Sequence, residues 1–155
     1  TDAEARESLM LAATLGGLAF SNASICLVHA MSRPLGSLFH VPHGMSNAML
    51  LPTVTEFSLE PALERYADCA RAIGWAGAGD NDNKAASRLI DGLYAYNERL
   101  DVPSMSSFGI DQTAFEEALD QMAEDALRSG APNHNPRVPD KQEIKDLYVK
   151  AWSMN

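Results

Sequence analysis

Apolar side chains recur along this chain at three- and four-residue spacing, and almost nowhere in the two-residue alternation of a half-buried strand. Residues 3–15 follow the helical spacing, Gly16-Gly17 punctuates it, and residues 18–32 are apolar nearly all round, as a core helix would be. Pro34 and Gly36 are expected to end that helix. Residues 37–43 then read as a loop closed by Pro42, and residues 44–51 as another buried helix running to Pro52.

The pattern continues past Pro61, a residue suited to a first helical turn. Leu63, Tyr66, Ala67, Ala70 and Ile73 follow at helical spacing up to Gly74. Residues 77–83, rich in Gly, Asp and Asn, read as a flexible surface loop. A helix over 84–100 carries Ala85, Leu89, Leu93 and Tyr96 on one side. Asp111 is placed as an N-cap for residues 112–127, and Asp140 with Glu143 has capping-box spacing for residues 141–152. With no strand-Gly-helix turn and no internal repeat, the fold class expected is all-α, a bundle-like single domain over residues 1–155.

Charge narrows the classes of partner. With 12 basic against 21 acidic side chains the net charge is -9, which repels a phosphate backbone, so nucleic acid is not an expected partner. Cys26 and Cys69 lie far apart with no CxxC spacing, which fits a reducing, cytoplasmic setting. The chain has no initiator Met and no signal-type leader, and Thr1 opens straight into the first helical pattern, so it is expected to be part of something longer. Residues 8–32 lack any Asp, Glu, Lys or Arg and are long enough to span a bilayer. Asn22 and His29 would be costly in lipid, so a buried helix pair and no membrane are expected instead.

Asn22, Cys26, His29 and Arg33 are spaced by 4, 3 and 4, which on one continuous helix makes a single polar stripe. One buried imidazole is more often a hydrogen-bonded core residue than a ligand. His43, however, stands between Pro42 and Gly44 at the start of the next buried helix, and two helices joined by such a loop can bring both imidazoles to one point. Neutral imidazole suits zinc, iron or nickel, but catalytic sites usually take three protein ligands, and neither His40 nor His134 stands where it would complete the set. No phosphate-cradling loop and no Gly-x-Ser-x-Gly elbow is present.

The run from Leu27 to Gly36, with His29 and Arg33-Pro34 inside it, leads into Phe39-His40-Val41-Pro42-His43-Gly44 and the Asn47-Ala48-Met49-Leu50-Leu51-Pro52 step. Length, order and spacing resemble the signature region of iron-containing (group III) alcohol dehydrogenases. The likeness extends upstream through Gly17-Leu18-Ala19-Phe20-Ser21-Asn22-Ala23 and downstream to Asn135-Pro136-Arg137.

The resemblance implies the C-terminal helical half of a two-domain oxidoreductase, the other half being an α/β domain that holds NAD or NADP. It implies His29 and His43 as two metal ligands, with Fe2+, or Zn2+ in its place, completed by an Asp and a His from an earlier Asp-x-x-x-His turn. Phe20 and Ile25 match positions beside substrate and nicotinamide, and Arg33 stands near both, where many members carry a histidine. The substrate implied is a small alcohol or aldehyde and the assembly a homo-oligomer, a dimer or larger. The chain alone is expected to be inactive and to hold metal weakly. The reading from another class is a non-catalytic helical module whose polar stripe is structural or docks a partner domain.

Overall fold

The computed structural model describes residues 2–153. The expected domain span of 1–155, and the expectation about Thr1, reach beyond them.

Among the described residues there are eight α-helices, two short 3-10 turns and no strand, so the chain is all-α. The helices are α1 (Ala3–Ala23), α2 (Leu27–Phe39), α3 (His43–Ser58), α4 (Leu63–Ala72), α5 (Asp82–Arg99), α6 (Met105–Phe108), α7 (Gln112–Arg128) and α8 (Lys141–Ala151). Short acidic and amide side chains start several of them. Asp111 accepts from the Ala114 amide, Asn81 from the Lys84 amide, and Asp140 and Glu143 complete a reciprocal capping box. Asn81, Asp82 and Asn83 thus belong to the start of α5 rather than to a loop.

The main core joins α2, α3, α7 and α8 around Leu27, Met31, Leu50, Phe115 and Tyr148. A smaller cluster ties α4 to α5 through Ala67, Ala70, Ala85 and Leu89 under Trp75. Gly92 is required there, because a Cβ would run into the Trp75 ring. Ile73, read as part of that face, is 53% exposed.

Two prolines that look like stops lie inside helices, Pro34 in α2 and Pro52 in α3. Pro52 has no N–H to give the carbonyl four residues back, that of Ala48. The Asn97 side-chain amide, reaching across from α5, donates to that oxygen at 2.8 Å. A part-buried carbonyl orphaned by Pro52 is thus satisfied by a side chain 49 positions after Ala48.

The N-terminal third departs most from the sequence reading. Gly16-Gly17 do not interrupt α1, which runs on to Ala23. The break falls at residues 24–26, where Ser24 adopts φ 71°, ψ 176°, a region otherwise reserved for glycine. α1 and α2 diverge by 111° there. The polar stripe therefore does not exist: Asn22 sits on α1 and donates to the Leu18 carbonyl, while Cys26 is the residue preceding α2. Nor is residues 18–32 one core helix, since α1 has no buried residue and exposes Leu9, Met10, Leu11, Leu15, Leu18 and Phe20. Among the described residues no single helix is long and apolar enough to cross a membrane.

Candidate metal centre

α2 ends on His40 in the left-handed conformation (φ 56°), its amide donating to the Leu35 carbonyl. The Val41 amide donates to the same oxygen at 3.4 Å and the Val41 side chain is buried, so the three-residue connection folds back along α2. Pro42 then sets an extended backbone (φ -54°, ψ 139°) directly before α3. His43, the first residue of α3, is carried by this return to His29 in the first turn of α2.

The two imidazole centroids are 5.2 Å apart with the planes tilted by 55°. An imidazole bound through a metal–nitrogen distance of about 2.0–2.1 Å has its centroid roughly 3.2 Å from the ion, so two at a tetrahedral angle stand roughly 5.2 Å apart. The observed separation fits one shared ion. Burial, then the neighbouring His43 and then Arg33, holds the His29 pKa below its ordinary value, which favours the neutral form whose lone pair binds metals. Among the described residues no group of three or more His, Cys, Asp or Glu is placed to hold a metal, so the pair by itself offers two donors.

Tertiary contacts hold the platform. The buried Tyr148 hydroxyl of α8 donates to the Met31 carbonyl at 2.6 Å, one turn beyond the start of α2. His134 Nδ1 lies 3.1 Å from the Ile25 carbonyl, pinning the chain just before Cys26. Asn135 is buried and donates to Ser58 Oγ and to the Arg137 carbonyl, which gives this asparagine a structural task. The His134 ring thus engages the Ile25 carbonyl, whereas His40 caps α2 through its backbone amide.

The other residues singled out from sequence are dispersed. Arg33 is exposed on α2 one turn after His29, near enough for its charge to act on that ring. Ile25 is half-buried against the main core, and Phe20 is 54% exposed on α1. One neighbour escaped the sequence reading: Asn47, whose side-chain nitrogen lies 3.2 Å from His43 Nε2, 3.4 Å from Nδ1 and 2.8 Å from the His43 carbonyl. Its place four residues after His43, one turn along the same helix face, was the available signal.

The domain is all-helical and presents two convergent histidines. The chain belongs to the Fe-containing alcohol dehydrogenase family, whose C-terminal model matches residues 1–152. It is 35% identical over 148 residues to the NADPH-dependent butanol dehydrogenase of Clostridium saccharobutylicum, covering 95% of this chain and 38% of that protein. The 1,3-propanediol dehydrogenase of Klebsiella pneumoniae is 35% identical over 150 residues, covering 96% of this chain and 38% of its own length. The iron-containing alcohol dehydrogenase of Thermococcus thioreducens superposes with a TM-score of 0.85 at 38% identity, over 97% of this chain and 38% of that one. The chain thus spans about 38% of the length of the curated relatives named here.

Proposed function

We propose that residues 1–155 form the helical, metal-binding domain of a cytoplasmic, homo-oligomeric alcohol dehydrogenase that exchanges hydride between a small alcohol or aldehyde and NAD or NADP. The observation that carries this reading is the His29–His43 separation of 5.2 Å, which fits two nitrogens on one ion. When bound, Fe2+, or Zn2+ in its place, would supply Lewis acidity at the alcohol or carbonyl oxygen. The chain's own residues do the positioning. α2 and the Pro42 step fix the two imidazoles relative to one another, and burial, then the neighbouring His43 and Arg33, lower the His29 pKa. Arg33, Phe20 and Ile25, dispersed in this structure, enter the proposal as residues near substrate and nicotinamide through the family resemblance alone. Further ligands, and the nucleotide-binding surface, belong to other residues of the enzyme.

The test is nicotinamide reduction by the polypeptide that contains this chain, with Fe2+ and with butanol or 1,3-propanediol as alcohols. Turnover should require metal and fall by several orders of magnitude in His29→Ala and in His43→Ala, while the isolated chain should show none. Undiminished turnover in His43→Ala would sink the reading. The uncovered α1 favours a second reading, a non-catalytic module that docks a partner, although the polar stripe first invoked for it is absent. Metal-independent behaviour of both histidine variants in every assay would favour that alternative.

A further inference from the structure

We propose that Asn47 is a positioning residue for His43, setting the orientation of its ring while leaving both ring nitrogens free for other partners. The inference rests on the reading of His43 as a metal ligand.

The orientation of the Asn47 amide is determined by its surroundings. Nδ2 must be the atom facing the His43 carbonyl at 2.8 Å, since Oδ1 in that place would set two acceptors against each other. The same nitrogen is 3.2 Å from Nε2 and 3.4 Å from Nδ1 of the ring. A group so nearly equidistant from both nitrogens cannot lie in line with either lone pair, because in the ring plane it would collide with the carbon between them. It lies over the ring face, as in an N–H contact with an aromatic face. The ring is backed from one side, and its in-plane nitrogen directions stay unused by Asn47.

The rest of the side chain argues against a purely structural role. Oδ1 is buried and has no hydrogen-bond partner among the described residues. A side chain present only to satisfy the His43 carbonyl could be a serine: Ser58 serves the Val54 carbonyl and Thr55 the Leu51 carbonyl in this same helix, and Ser46 already donates to the His43 carbonyl. What the amide adds beyond such a hydroxyl is the reach to the ring. Outer partners that orient a ligating histidine commonly change metal affinity by about 10–100-fold.

The experiment titrates the chain with Co2+ and follows the ring-proton NMR signals of His29 and His43, a readout that works for weak binding and needs no turnover. Asn47→Ala should weaken Co2+ binding about tenfold, at the low end of that range. Asn47→Ser keeps a donor for the carbonyl, so it should melt as the parent does yet bind Co2+ as weakly as Asn47→Ala. His29→Ala and His43→Ala should lose the paired response altogether. If both Asn47 variants bind within twofold of the parent while the histidine variants fail, the inference is overturned and the metal reading stands. If the histidine variants also bind as the parent does, the metal reading itself falls.

Discussion

The four histidines are held in different ways, and the differences can be tested one residue at a time. His40 closes α2 in the left-handed region, where a side chain with a Cβ costs about 1–2 kcal/mol and glycine almost nothing. His40→Gly should therefore raise stability by about 1 kcal/mol in a urea titration and leave Co2+ binding by the His29–His43 pair unchanged. A loss of metal binding in that variant would show that His40 acts at the site. His43, only three positions on, should respond in the opposite sense, with binding lost and stability little altered. The two roles were separable in the sequence, because His43 stands between Pro42 and Gly44 at the start of a helix whereas His40 lies inside the loop before it. Position paired His43 with His29, the family resemblance added the ligand role as an implication, and the fold-back of Val41 along α2 supplies the physical cause of the pairing.

At the scale of the element, Pro52 and Asn97 form one device made by two helices. Asn97→Ala should cost about 1 kcal/mol, because it leaves the part-buried Ala48 carbonyl without its partner. Pro52→Ala restores an N–H that can reach the same oxygen. In the Asn97→Ala background it should therefore recover part of the loss, giving a coupling visible in a double-mutant cycle. Simple additivity of the two substitutions would refute the pairing.

This device also explains an error in reading the helices. Pro52 lies inside α3 with its freed carbonyl met by a group on α5, invisible to any local window. The starts of α7 and α8 were legible because Asp111 and Asp140 act within three residues of themselves. The break between α1 and α2 was not, since Ser24-Ile25-Cys26 carries no glycine or proline and Gly16-Gly17 carries the signal without the break.

For the whole molecule, the division between body and arm is the dominant feature. Helices α2, α3, α7 and α8 share a core, while α1 contributes nothing to it and exposes side chains from 54% for Phe20 to 72% for Met10. The net charge of -9 arises wholly from residues outside the middle and end of α1, where no Asp, Glu, Lys or Arg occurs between Ser8 and Ala23. A strongly anionic head carrying one uncharged apolar tail is the plan of a soap, and the 155-residue chain should behave as one in solution. Its light scattering should rise above a threshold concentration, and sulfate, which strengthens apolar burial and screens the heads, should lower that threshold. Placing Lys at both Leu11 and Leu15 should abolish it, whereas scattering proportional to concentration at every salt level would show that the tail is already sheathed.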